Sequence, residues 1–152
     1  MKVVIGADHA GFGYKTLIIA ALRREGYEVL DLGAYSEDKT DDYPDFAEDV
    51  AKELLDKQGD RGILICGSAV GVSIAANKFK GIRAGVCHDT YSAHQSVEHD
   101  NANVLCLGQR VIGIDLAEEI VFTFLKADFS NAARHKRRLK KILAIENKNM
   151  KE

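Results

Sequence analysis

A thiol, a hydroxyl and two glycines lie close together in the sequence RGILICGSAVGVSIAANK, which covers residues 61–78. Cys66 offers the thiol and Ser68 the hydroxyl, while Gly67 and Gly71 allow the backbone to turn sharply and to approach a ligand. The branched apolar run before Cys66 is typical of a buried parallel strand, and small and apolar residues follow at helical spacing. The pattern predicts a strand, a turn and a helix.

Such a turn is suited to binding an anion, because free N–H groups and the positive end of the helix dipole point into it. We expect the Cys66 thiol to be biased towards the thiolate at this position. The alternative is that Cys66 is a small buried residue at the end of a strand, as free cysteines usually are. Cys87 and Cys106 lie in apolar strands and are interpreted as core residues.

Strand-like and helix-like segments alternate along the chain. The pattern predicts an α/β fold, a single-domain Rossmann-like three-layer α/β/α sandwich with a five-stranded parallel sheet. The predicted strands are 2–7, 27–32, 63–66, 81–87 and 103–107. The predicted helices are 14–25, 46–56, 70–76, 90–98, 114–125 and 134–145.

Ligands of such sheets bind outside the carboxyl ends of the strands, so the residues at those ends test the hypothesis of a functional turn. Asp8 is also a candidate N-cap for the first helix. The ends hold mostly reactive or phosphate-binding residue types: Asp8 and His9, the acidic loop 33–45 with Tyr43, the turn 66–71, the segment up to His99, and Arg110. This convergence favours a functional role for Cys66.

Four further residues are candidates for proton transfer or anion binding. His99 is predicted at a helix C-terminus, where the dipole stabilises an imidazolium, although a surface histidine is the alternative. Arg110 follows the fifth strand and could clamp a phosphate. Arg134 and Arg138 lie on one helical face and suit a single anion, with a partner subunit as a natural recipient. A solvated basic face, or a weak nucleic-acid patch, is the alternative for that helix.

The bulk composition excludes several classes. The chain has 152 residues, which predicts one domain over 1–152, and its formal charge of −2 gives no general attraction to nucleic acid or membrane. No apolar run reaches a bilayer-spanning length, and no signal peptide is predicted. The three cysteines form no CxxC pair, which favours the cytoplasm. The absence of GxGxxG and GxxxxGK[ST] motifs disfavours a dinucleotide or nucleoside triphosphate.

Five motifs together resemble the B-type ribose-5-phosphate isomerases, a family that includes the galactose-6-phosphate isomerase subunits. The resemblance extends from residue 2 to about 142 and rests on GADHAG at 6–11, DYPD at 42–45, ICGSAVGVSIAANKFKGIRA at 65–84, NANVLCLGQRVIG at 101–113 and ARHKRRL at 133–139.

The resemblance implies an aldose-ketose isomerase that interconverts ribose 5-phosphate and ribulose 5-phosphate through a cis-enediolate, with no metal and no cofactor. Cys66 is implied as the base, assisted by Ser68, and His99 with Asp8 is implied in opening the sugar ring. The other implied substrate-binding residues are His9, Tyr43, Gly67, Ala69, Val70, Gly71, Asp100, Arg110, Arg134 and Arg138.

The resemblance also implies a homodimer whose C-terminal helix, about 134–146, packs on the partner, while a tetramer stays open. Two alternatives remain at this stage. One is an isomerase of a six-carbon sugar phosphate, such as allose or galactose 6-phosphate. The other is a non-catalytic sugar-phosphate-binding subunit.

Two departures from the family pattern bear on these alternatives. Ala69 stands where the family has glycine, which matters if the backbone needs a positive φ there. Asp100 follows His99 where the family often has asparagine, and it adds a negative charge.

Overall fold

The structure is a computed structural model that describes residues 1–150. Five strands form one parallel sheet in the order β2-β1-β3-β5-β4. The strands are β1 (Lys2–Ala7), β2 (Glu28–Asp31), β3 (Arg61–Cys66), β4 (Ala84–Val86) and β5 (Val104–Gly108). The helices are α1 (Phe12–Arg24), α2 (Tyr43–Leu55), α3 (Val70–Ala76), α4 (Thr90–Asp100), α5 (Ile114–Lys126) and α6 (Ala133–Asn149).

Buried side chains alternate between the two faces of the sheet, because successive residues of a strand point to opposite sides. Ile63 and Ile65 join one buried cluster with residues of α1, α4 and α5. Leu64 and Cys66 join a second cluster with residues of α2 and α3. Helices therefore cover both faces, and the predicted three-layer α/β/α sandwich is confirmed.

Two helices begin two or three residues earlier than the sequence predicted. The first begins at Phe12 and has Gly11 as its N-cap, so the prediction that Asp8 caps it is wrong. The second begins at Tyr43 with Pro44 in its first turn, where a missing N–H is tolerated. As a result Tyr43 projects from a helix instead of a loop. No helix within residues 1–150 is long and apolar enough to cross a bilayer.

The sheet has its topological switch point between β1 and β3, because the chain leaves β1 towards β2 and then returns to the other side. Crevices form at such points outside the carboxyl ends of the strands. The segment after β1 begins at Asp8, and the segment after β3 begins at Gly67. The candidate residues of these two segments therefore flank one crevice.

Candidate active site

A cavity of about 610 Å³ lies at this crevice. It brings together side chains from the segments after β1, β3 and β5 and from the beginning of α2. Its lining residues are Asp8, His9, Ala10, Tyr43, Cys66, Gly67, Ser68, Val70, Gly71, Ile74, Arg110 and Val111. The predicted convergence is thus confirmed for most candidate residues, and Arg110 and His9 also line an adjoining cavity of about 220 Å³.

The turn after β3 folds back on the thiol. Cys66 is 5% exposed, and its Sγ accepts a hydrogen bond from the Ala69 N–H at 3.2 Å. The hydroxyl of Ser68 accepts from the Val70 N–H at 3.3 Å. The backbone at Ala69 is left-handed, with φ of +74°, which is the conformation that the family's glycine would suit. Ala69 itself is fully buried and lies behind the cavity wall.

Two glycines of the turn give room to side chains from elsewhere. A Cβ on Gly67 would lie 3.3 Å from a guanidinium nitrogen of Arg110. A Cβ on Gly71 would lie 2.5 Å from the ring of Tyr43. The cation and the phenol therefore contact the turn on which the thiol lies, and larger residues at these glycines would displace them.

Asp8 is buried at the end of β1 and is 6% exposed. One carboxylate oxygen, Oδ1, accepts from the N–H groups of Ala10 and Gly11 at 3.0 and 3.1 Å. Burial raises the pKa of the Asp8 carboxyl, whereas the charge of His9 and these two hydrogen bonds oppose the rise. This turn lies against the end of β3, because the Asp8 N–H donates to the Ile65 carbonyl at 3.3 Å.

Five predicted site residues do not line the cavity of their own chain: Ala69, His99, Asp100, Arg134 and Arg138. Of the last four residues, only His99 was predicted to converge with the strand ends, and within a single chain that prediction is wrong. The assignment of Arg134 and Arg138 to a partner subunit stays a prediction. The ring of His99 stacks on that of His135, with centroids 4.0 Å apart, and its Nδ1 lies 3.0 Å from Nε2 of Gln95. Both arginines are exposed near the beginning of α6. Asp100 lines a separate cavity beside Arg83.

Two functional candidates went unrecognised in the sequence. Asp41, in the acidic loop, accepts from both the backbone N–H and the ring Nδ1 of His9. His135 is buried between His99 and Ser130, and burial together with nearby positive charge lowers its pKa. The acidic composition of the loop was a signal for Asp41, whereas nothing in the sequence distinguished His135 from its basic neighbours.

Known proteins resemble this chain over nearly its whole length. Residues 3–142 match the family described as Ribose/Galactose Isomerase. Ribose-5-phosphate isomerase B of Escherichia coli is 48% identical over 95% of this chain and 96% of its own. D-erythrulose-4-phosphate isomerase 2 of Mycolicibacterium smegmatis is 41% identical over 96% and 97%, respectively.

The fold is also similar to that of solved structures from this group of enzymes. The solved structure of Clostridium thermocellum ribose-5-phosphate isomerase B is 50% identical, with a TM-score of 0.94 over 97% of this chain and 99% of that one. The agreement of motifs, fold and identity over almost the entire chain leads to one conclusion. The chain belongs to the ribose/galactose isomerase family.

Proposed function

We propose that the protein is a ribose-5-phosphate isomerase that interconverts ribose 5-phosphate and ribulose 5-phosphate through a cis-enediolate. The observation that carries this proposal is the single cavity in which a thiol, a buried carboxyl and a guanidinium meet a turn of backbone N–H groups. An aldose-ketose isomerase needs these four parts: a base, a hydrogen-bonding acid, a phosphate ligand and donors for an oxyanion.

Cys66 acts as the base in this mechanism. Its thiolate removes the proton from C2 of the open-chain aldose, and the C1 carbonyl oxygen takes up the negative charge of the enediolate. The same proton then returns to C1. The proton of the C2 hydroxyl moves to the C1 oxygen with help from Ser68, so that the C2 carbonyl forms and the product is the ketose. The N–H groups of Gly67, Ser68 and Gly71 are the donors for the oxyanion, since those of Ala69 and Val70 already bond within the turn.

The phosphate is held by Arg110 and His9, which line both adjoining cavities. A guanidinium matches the geometry of phosphate oxygens and forms charge-assisted hydrogen bonds with them. Tyr43 lines the sugar pocket, and Asp8, with its raised pKa, hydrogen-bonds a sugar hydroxyl near the reacting carbons. The ligand therefore lies with its reacting end at Cys66 and its phosphate at Arg110.

The site is completed by a second copy of the chain in a homodimer. His99 is half-buried and stacks on His135 beside the exposed Arg134 and Arg138, so His99 and the two arginines form one cluster outside their own cavity. Exposed apolar residues surround that cavity, among them Ile74, which is 58% exposed. When the same cluster of a partner chain covers the cavity, His99 supplies the ring-opening acid and the two arginines supply two more phosphate ligands.

The proposal is tested by incubating purified protein with ribose 5-phosphate in the absence of metal and measuring ribulose 5-phosphate. We expect turnover, and a folded protein that forms no product would refute the isomerase assignment. Cys66→Ala is expected to bind substrate but to lose more than about 90% of the rate, a barrier change above about 1.4 kcal/mol. A smaller loss would remove Cys66 from the role of base.

Mixed dimers test the shared site. Cys66→Ala and His99→Asn are each expected to be nearly inactive, whereas a refolded equal mixture is expected to recover about a quarter of wild-type activity. This recovery arises because half of the dimers are mixed and each mixed dimer has one intact site. If Cys66 and His99 acted within one chain, the mixture would be no more active than its components.

Substrate length is tested by comparing kcat/KM for four-, five- and six-carbon aldose phosphates, because relatives named for four- and five-carbon substrates are similarly identical to this chain. Tight binding of these sugars without exchange of the C2 proton would instead favour a non-catalytic binding subunit.

The three buried, unpaired thiols fit a reducing compartment, so we infer a cytoplasmic enzyme.

A further inference from the structure

We propose that Asp41 is a positioning residue for His9: its carboxylate fixes the imidazole with the proton on Nδ1 and presents Nε2 to the anion of the ligand. This inference rests on the proposed function insofar as the anion is the substrate phosphate. It gives a role to the acidic loop between β2 and α2, which the mechanism otherwise leaves unused.

One oxygen of Asp41 makes both contacts with His9. Oδ1 lies 2.7 Å from Nδ1 of the ring and accepts the backbone N–H of the same residue at 3.2 Å. These contacts fix the ring relative to the backbone that carries it, although the two residues are 32 positions apart in sequence. The side chain of His9 remains 27% exposed, whereas that of Asp41 is only 13% exposed.

The second oxygen of Asp41, Oδ2, is buried and has no hydrogen-bond partner among residues 1–150. Burying half of a carboxylate without a partner costs free energy, so a residue chosen for stability alone would be placed differently. Among residues 1–150, both side-chain hydrogen bonds of Asp41 are with His9. The carboxylate also lies near Asp8, whose pKa it helps to raise.

A tight turn at residues 38–41 holds Asp41 in place within the acidic loop. Asp38 accepts from the Thr40 N–H at 2.9 Å and from the Thr40 hydroxyl at 2.6 Å. The Asp38 carbonyl then accepts the Asp41 N–H at 3.0 Å. This tight turn is local and exposed, and it directs the side chain of Asp41 inward to His9.

The hydrogen-bonding capacity of the two side chains determines which nitrogen of the His9 ring carries the proton. An ionised carboxylate can only accept, so Nδ1 must carry the proton of the contact. The remaining nitrogen, Nε2, is the one available to a ligand of the cavity. A histidine held in one tautomer and one orientation loses less freedom when it binds an anion, as metal-bound histidines with a carboxylate partner illustrate.

Three variants test the proposal, with steady-state kinetics and competition by inorganic phosphate as the readouts. Asp41→Asn removes the enforced tautomer because an amide can donate as well as accept. We expect KM and the inhibition constant of phosphate to rise about tenfold, with kcat nearly unchanged. Asp45→Asn, an exposed position in the first turn of α2, makes the same charge change and is expected to behave as wild type.

His9→Gln provides the test of coupling. If Asp41 acts through His9, the double variant is expected to have the KM of His9→Gln alone. Additive effects on KM would overturn the proposal, as would an effect of Asp41→Asn on kcat only. An unchanged KM and phosphate affinity in a folded Asp41→Asn variant would overturn it as well.

A spectroscopic measurement keeps the proposal testable even if the variants fold poorly or the protein turns over no sugar. In wild-type protein labelled with ¹⁵N-histidine, the neutral ring of His9 is expected to show a protonated Nδ1 and an unprotonated Nε2. Its resonances are identified by their loss in His9→Gln. The opposite tautomer would refute the role of Asp41, whereas the expected tautomer in a protein without isomerase activity would refute only the proposed function.

Discussion

Substitution of Ala69 by glycine tests whether the active-site turn is strained. An alanine at φ of +74° carries a steric cost of about 1–2 kcal/mol, which glycine avoids. Two effects oppose this stabilisation. The variant loses a buried methyl group, which costs about 0.8 kcal/mol, and its unfolded chain has more conformational entropy, which costs about 0.4–1 kcal/mol more. The contributions nearly cancel, so the free energy of unfolding of Ala69→Gly is expected to lie within about 1 kcal/mol of wild type.

Ala51→Gly is the matched control. Ala51 is equally buried and belongs to the same apolar cluster, but it lies within α2, where it has no positive φ. There glycine loses about 1 kcal/mol of helix propensity as well as the buried methyl group, for a total of about 2 kcal/mol. A loss of about 2 kcal/mol in the free energy of unfolding corresponds to a melting temperature about 4–8 °C lower for Ala51→Gly than for wild type.

Urea denaturation and thermal melting at one fixed protein concentration measure both variants, since a dimer makes stability concentration-dependent. Because the Ala69 N–H that bonds Cys66 Sγ is retained in glycine, kcat is expected to stay within a few-fold of wild type. A loss of stability in Ala69→Gly as large as that in Ala51→Gly would refute the strained turn. A tenfold fall in kcat would show instead that the Ala69 methyl group shapes the site.

Two further predictions concern Asp8 and the residues beside it. Because burial raises the pKa of Asp8, the folded state binds that proton more tightly than the unfolded state, and this contribution to stability is lost as pH rises through the acid range. Asp8→Asn is therefore expected to gain stability relative to wild type in urea titrations as pH rises above about 4, while its kcat falls; a constant difference would contradict the raised pKa. Exhaustive dialysis against a chelator is expected to leave turnover unchanged. A loss that a divalent ion restores would instead assign a metal to Asp8, His9 and Asp41, whose ligand atoms lie within 4.8 Å of one another.

Local patterns predicted the turn at Cys66 because everything it needs lies within a short segment. A β-branched apolar run predicts the buried strand, and glycines followed by helical spacing predict the turn. The parallel sheet then determines which segments meet at its carboxyl edge, so the convergence of Asp8, Cys66 and Arg110 was also predictable. Only topology was needed for that step, and no side-chain geometry.

The contact between Asp41 and His9 could not be predicted in the same way. It joins two segments far apart in sequence, and it depends on the tight turn at Asp38 that aims one acidic side chain inward. In the sequence, the same residue is one of several acids around Tyr43. The location of His99 has a related cause, because this residue lies in the last turn of α4, where its ring stacks on His135 of α6, and not at the end of a strand.

Ala69 also bears on whether the chain is an enzyme or an inactive relative. An alanine in place of the family's glycine is a sign of decay only if it changes the backbone. Here the residue keeps the left-handed conformation, its N–H still donates to Cys66 Sγ, and its methyl group is buried among apolar neighbours. The substitution therefore costs conformational energy within the turn and leaves the geometry around the thiol in place, which favours an isomerase over a binding subunit.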